Sequence, residues 1–211
     1  MPSVTSRPYD SVKRVFDFVC SLVALVVVSP LLLIIAGGVL ITMGRPILFT
    51  QIRPGRGGKP FKLYKFRTMR PVTLSGARSD VAVVETDAER LTGFGRFLRA
   101  TSLDELPELF NILRGDMSYV GPRPLLVEYL PLYSAQQARR HEVRPGLTGL
   151  AQVSGRNALN WESRFDLDIQ YVDQRSLVFD LRILAKTVAA VIKREGISGN
   201  DAATMQPFAG N

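Results

Sequence analysis

Cysteine, histidine and tryptophan each occur once in this chain of 211 residues. The lone Cys20 lies inside an apolar run, so a disulfide framework and a cysteine-ligated metal site are both excluded. His141 follows Arg139 and Arg140 and reads as a solvated residue of a basic cluster, which leaves no basis for a His-rich metal site or a Ser-His-Asp arrangement. Signatures of helix-turn-helix, zinc-finger or RNP modules are missing, so nucleic acid is not an expected partner. There is no internal repeat, and between Asp17 and Arg45 there is no charge of either sign.

What the chain does have is a hydrophobic fraction of 46%, enough for one domain with a core, and a net charge of +8 that calls for an anionic partner. Lipid headgroups and phosphorylated substrates both qualify. The apolar run over 15–43 is long enough to cross a hydrocarbon core of about 30 Å, and too long for a cleaved signal peptide. Ser29-Pro30 falls near its middle, where proline removes a backbone hydrogen bond and bends a helix. The flanks are basic on both sides: Lys13 and Arg14 before, then Arg45, Arg53, Arg56, Lys59 and Lys62 after. By the positive-inside rule both ends stay in the cytoplasm, and the run dips in and turns back at Ser29-Pro30. The Ser29 hydroxyl could satisfy the carbonyl that Pro30 frees. A kinked single crossing stays open on composition alone.

Residues 46–53 and 61–69 alternate as two strands around the turn at 54–60, one basic hairpin. Gly55-Arg-Gly-Gly58 lacks the helix and the Lys-Ser/Thr of a phosphate loop, so it reads as the turn itself. Lys65 and Arg67 share a face at period two and could meet a diphosphate. Residues 71–89 suggest a surface loop or weak helix, and 91–99 an amphipathic helix lying in the headgroup plane through Phe94, Phe97 and Leu98. A helix over 125–140, a glycine-rich loop over 143–156, helices over 161–175 and 179–194, and a disordered tail from 196 complete the reading.

Chemistry concentrates in 99–124, Arg-Ala-Thr-Ser-Leu-Asp-Glu-Leu-Pro-Glu-Leu-Phe-Asn-Ile-Leu-Arg-Gly-Asp-Met-Ser-Tyr-Val-Gly-Pro-Arg-Pro. Asp104 and Glu105 open an apolar-periodic segment, and Pro107 sets a helix start close behind them. Arg123 stands between two prolines. Carboxylates for a metal or a nucleophile, with a fixed guanidinium for an anion, are parts of a phosphoryl-transfer site. The plainer alternative is a capping box, Ser102 with Glu105 three residues on, in which acidic residues only complement the helix dipole.

Lys13-Arg-Val-Phe-Asp17, the run with Ser29-Pro30, Lys65-Phe-Arg-Thr-Met69, the 101–124 stretch and Arg144-Pro-Gly-Leu-Thr-Gly149, in that order, resemble the bacterial sugar transferase family. These are the monotopic phosphoglycosyl transferases that start glycan assembly on undecaprenyl phosphate. The match covers 13–198 and looks like the minimal catalytic form. The resemblance implies a re-entrant membrane helix bent at Ser29 and Pro30. It also implies a ping-pong reaction in which Asp104 attacks the sugar-side phosphorus of a UDP-sugar, UMP leaves, and the covalent phosphosugar passes to undecaprenyl phosphate. Mg²⁺ would bridge the diphosphate, with Asp104 and Glu105 as its ligands and Glu105 as metal ligand or base. Arg123, Arg99, Lys65, Arg67 and Arg144 are the candidate phosphate contacts, Asp180 is structural or closes the site, and 145–161 is the region for sugar and uridine.

The expected fold is mainly α with a small β-hairpin: a lead-in over 1–12, a re-entrant membrane helix hairpin over 13–44, a compact cytoplasmic catalytic domain with amphipathic interfacial helices over 45–198, and a disordered tail over 199–211. The expected place is the bacterial inner membrane, facing the cytoplasm, with inner-membrane lipid as a partner and a homo-oligomer left open. The competing reading is a membrane-anchored basic scaffold or lipid-binding module without catalysis.

Overall fold

The computed structural model describes residues 7–71, 74–75, 83–84, 87–155, 159–192 and 207–210. In chain order the elements are α1 (Pro8–Met43), β1 (Leu48–Pro54), β2 (Pro60–Phe66), β3 (Leu74–Ser75), β4 (Val83–Val84), α2 (Asp87–Arg90), α3 (Gly93–Ala100), α4 (Glu108–Arg114), β5 (Ser118–Val120), α5 (Ala135–Ala138), β6 (Gly146–Thr148), α6 (Leu150–Ser154), α7 (Trp161–Gln174) and α8 (Leu177–Ile192). Strands pair only two at a time: β1 with β2 antiparallel, β3 with β4 antiparallel, β5 with β6 parallel. The architecture is thus mainly helical, as expected.

α1 is one helix of 36 residues, about 54 Å long at 1.5 Å per residue, and not two helices joined by a turn. Pro30 cannot donate to the carbonyl four residues back, and the Ser29 hydroxyl donates to that Val26 carbonyl instead, at 2.8 Å. The helix therefore continues through the proline. Asp17, Ser21, Leu25, Ile35 and Val39 form one buried stripe, while the opposite face leaves Val19, Val23, Val27, Leu33, Ile34 and Ile41 exposed.

Both ends of α1 are fastened to the same domain. Near the N-terminus Lys13 pairs with Asp180, Asp17 accepts from the Tyr119 amide at 3.3 Å, and Arg14 donates to the Ile112 and Leu113 carbonyls, each at 2.7 Å. Those carbonyls end α4, where the Gly115 amide reaches back to Asn111 and Ile112, so Arg14 acts as a further cap from outside the helix. At the other end Arg67 donates to the Met43, Gly44 and Arg45 carbonyls. The flanking basic residues thus tie the helix down as well as setting its charge asymmetry.

Two buried clusters pack around α1, and a third lies beyond them. Leu25 packs with Phe61, Leu63, Leu109, Ile112 and Met117, and Ile35 and Val39 pack with Phe66 and Leu98. Val120, Tyr171, Val172 and Ile183 join β5 to α7 and α8. Leu98 is buried here and Phe97 is exposed, so α3 turns only part of its expected apolar face outward. Asn111, fully buried, donates to the Lys62 carbonyl at 2.7 Å and accepts from the Tyr64 amide at 3.1 Å, standing in for a third strand along β2.

Five expectations need correction. The helix expected over 125–140 is a 3-10 stretch at Val127–Leu132, then α5, then a second 3-10 turn at Arg139–Glu142, because Pro131 cannot sit inside a longer α-helix. The glycine-rich loop contains β6 and α6, since Gly146 must lie against Gly121: a Cβ on Gly146 would stand 2.1 Å from the Gly121 nitrogen. His141 is buried, its Nδ1–H donating to the Gly55 carbonyl at 3.2 Å, and burial followed by Arg140 lowers its pKa to about 4. Of the expected loop at 71–89 the described parts include the β3–β4 pair. Of the tail, 199–206 lies outside the described residues, whereas Phe208 is buried among Tyr129, Trp161 and Phe165.

Candidate active site

The acidic pair lies on a 3-10 turn, Leu103–Glu105, between α3 and α4. Ser102 before it adopts φ 56°, the left-handed region that costs a non-glycine residue, and its side chain caps nothing. Glu105 likewise does not reach back to Ser102. The capping-box alternative is therefore not the geometry found, and the strained residue turns the chain so that the two carboxylates meet different neighbours.

Glu105 is held by two cations on one oxygen: Lys65 Nζ at 2.5 Å and Arg123 Nη2 at 2.9 Å, both to Oε1. Lys65 also reaches Glu108 Oε1 at 3.1 Å. Burial alone would raise the pKa of Glu105, but Arg123 and Lys65 outweigh it and hold the group well below the usual range. Glu108 moves the other way, because burial is offset only in part by the Lys65 that it shares. Asp104, half-buried, makes no ion pair among the described residues; burial first, and the Glu105 charge second, push its pKa up to about 6, against the pull of Lys65 and Arg99. One carboxylate is clamped and its neighbour is left unpaired.

A cavity of about 510 Å³ opens beside this cluster. Its charged lining is Arg99, Glu105, Arg123, Arg164 and Asp168, and the wall also takes Leu109 from α4, Tyr119 from β5, and Thr148, Gln152, Leu184 and Thr187 from β6, α6 and α8. Asp104 lies between Ser102 and Glu105, which line the cavity, although its own side chain is not part of the lining. Arg123 is oriented from behind: Arg140 donates to its carbonyl at 2.8 Å and is itself buried against Asp168.

The structure brings together Asp104, Glu105, Lys65, Arg99 and Arg123. It does not bring in three others. The Arg67 guanidinium is spent on the carbonyls that end α1, so the expected phosphate contact is corrected to a helix cap. Arg144 donates to the Gly115 carbonyl at 2.9 Å and lines a separate small pocket with Asp10, Arg56 and Arg175. Asp180 accepts from Lys13, Tyr9 and Tyr171, an internal anchor between α1, α7 and α8 and not a lid. Of the region assigned to sugar and uridine, Leu147, Thr148, Ala151, Gln152 and Val153 line the cavity, and 156–158 lies outside the described residues. Sequence reasoning missed Glu108, Arg164 and Thr187. For Glu108 a signal existed: it stands three residues after Glu105, the spacing that puts two side chains on one helical face.

Comparison with known proteins agrees in scope with this geometry. A family model described as bacterial sugar transferase matches residues 8–194. The chain is similar to the uncharacterized sugar transferase EpsL of Bacillus subtilis, at 48% identity over 94% of this chain and 96% of the relative. It is similar at 42% identity to a UDP-glucose:undecaprenyl-phosphate glucose-1-phosphate transferase of Caulobacter vibrioides, over 87% of this chain and 70% of the relative. It is also similar, at 41% identity, to an undecaprenyl-phosphate galactose phosphotransferase of Salmonella typhimurium, spanning 92% of this chain but 43% of that protein's length.

Proposed function

The chain belongs to the bacterial sugar transferase family, and from that premise we propose that it moves a sugar-1-phosphate from a UDP-sugar to undecaprenyl phosphate, releasing UMP. The observation that carries the reading is the contrast within the acidic pair: Glu105 held by Lys65 and Arg123, Asp104 unpaired beside Arg99. A nucleophile has to be free, and a carboxylate with a pKa of about 6 is ionised at neutral pH.

In the first step an Asp104 oxygen attacks the sugar-side phosphorus. The new O–P bond forms as the bridging P–O bond breaks, and UMP leaves with that oxygen. In the second step a phosphate oxygen of the lipid attacks the same phosphorus and the bond to Asp104 breaks, restoring the carboxylate. Arg99 and Arg123 stabilise the charge that builds on the phosphoryl oxygens, and Lys65 keeps Glu105 in place.

The donor set fits a magnesium ion shared with the substrate. Both cations bind Glu105 through Oε1, which leaves Oε2 without an ion pair. Among the described residues no cluster of three carboxylate, histidine or cysteine side chains stands ready for a metal, and magnesium commonly takes only one or two carboxylates together with substrate phosphates. Asp104 and Glu105 would hold the ion, which supplies charge neutralisation on the diphosphate.

We assign the reaction to the cytoplasmic face of the inner membrane. The exposed apolar face of α1 supports immersion in lipid, and the attachment of both its ends to one domain supports a re-entrant helix that leaves from the leaflet it entered. Nucleotide release from a panel of UDP-sugars, with Mg²⁺ and with or without undecaprenyl phosphate, tests the reading. UMP from one preferred sugar, lost in Asp104→Asn, is the expected result; UDP as product, or an active Asp104→Asn, overturns it.

A further inference from the structure

A second concavity lies against the first. Between the N-terminal part of α1 and α8 runs a groove of about 110 Å³, walled by Val12 and Phe16 on one side and Leu177 and Leu181 on the other. These four side chains are between 41% and 61% exposed, so the groove opens at the surface, on the same helix whose apolar face is turned outward. Tyr119 and Leu184, which line the groove, also line the large cavity. The groove and the cavity are thus neighbours that share these two side chains.

Charge in the groove is settled except at Asp17, whose Oδ1 accepts from the Tyr119 amide while its buried Oδ2 has no hydrogen-bond partner among the described residues. Lys13 and Asp180 also line the groove, but they pair with each other, and the Tyr9 and Tyr171 hydroxyls complete the Asp180 carboxylate. The rest of the groove is mostly apolar, and the cavity that shares Tyr119 and Leu184 with it carries Arg99 and Arg123. That sequence of surfaces matches a molecule with a long hydrocarbon chain and one phosphate at its end.

We propose that the α1–α8 groove holds the first isoprene units of the polyprenyl phosphate acceptor, delivering its phosphate past Tyr119 and Leu184 into the cavity. This rests on the reaction proposed above. It divides the substrates in space: the sugar nucleotide enters the cavity from its polar side, the lipid through the groove, and Leu184 stands between them.

The test uses the full chain in nanodiscs of phosphatidylethanolamine and phosphatidylglycerol. The UMP burst before acceptor is added reports the first half-reaction, and turnover against undecaprenyl phosphate concentration reports the second. Leu181→Asn should raise KM for undecaprenyl phosphate roughly ten-fold, the scale of a lost apolar contact in a binding site, and leave the burst intact. Leu177→Trp, which fills the groove, should act in the same direction. Val188→Asn, on the same helix, 59% exposed and outside the groove, should behave as wild type. A normal burst with unmoved KM in both groove variants, or an equal rise in Val188→Asn, overturns the groove alone. Wild-type release of UDP instead of UMP overturns the reaction and, with it, the assignment of the groove.

Discussion

Replacing Asp104 by Asn should abolish transfer and at the same time make the protein more stable. The carboxyl stands at about 6 instead of its ordinary 3.8, so ionising it costs the folded chain about 3 kcal/mol relative to the unfolded one. The folded state holds this proton more tightly than the unfolded state does. Wild type therefore loses stability as pH rises from about 4 to about 6, and carries the full cost above that. Asn has no proton to lose. The variant should gain about 3 kcal/mol at neutral pH, which for a chain of this size is about 6–12 °C in Tm, and the gain should vanish near pH 4. Thermal unfolding of both proteins in one detergent at the two pH values, alongside UMP release, measures it. An aspartate acting as a helix cap gives the opposite sign, a loss of about 1 kcal/mol. A less stable Asp104→Asn, or a gain that persists in acid, would refute the reasoning.

Glu105→Gln should destabilise by about 2 kcal/mol, less than a fully buried pair because Arg123 is part-exposed; since the Glu105 pKa is lowered, the difference from wild type should be largest at neutral pH and fade as pH falls below the ordinary 4.5, which paired melts at several pH values would follow. Arg67→Met should lower stability by about 2 kcal/mol, as carbonyls ending α1 lose their donor, with KM for the UDP-sugar unchanged; a raised KM would return Arg67 to the phosphate contacts. Ser102→Gly should relieve the left-handed backbone for a net gain of about 0.5 kcal/mol while slowing UMP release, because Asp104 is then less firmly presented. Tm and single-turnover release together decide that case.

Much of this was legible in the residues. The β1–β2 hairpin follows from alternation around a Gly-rich turn, α7 and α8 from their periodicity, and the meeting of Lys65, Arg99 and Arg123 with the acidic pair from charge type and the family motifs. The failures share a physical cause. Arg67 and Arg144 are charged residues whose partners, backbone carbonyls in both cases, lie far off in sequence, and Asp180, left open between a structural and a closing role, takes its structural one from Lys13 near the other end of the chain. Composition cannot distinguish an arginine waiting for phosphate from one that caps a helix. His141 misled in the same way, since its charged neighbours suggested solvent while the Gly55 carbonyl and Tyr133 enclose it. The capping box failed because Ser102 takes a backbone conformation that no sequence pattern of serine announces.

Asn111 gives the hairpin a use beyond support. Its amide reads β2 as a neighbouring strand would, bonding on either side of Leu63, and it belongs to α4, the helix that begins with Glu108. Lys65 lies two residues further along the same strand. The spacing between Lys65 and the carboxylates is therefore measured out by one side-chain amide, much as a pawl fixes a ratchet at one tooth. A slip of a single residue would turn Lys65 to the opposite face of the strand and bring Tyr64 or Phe66 toward Glu105. The charge balance that separates a clamped carboxylate from an unpaired one is set, in this protein, by strand register.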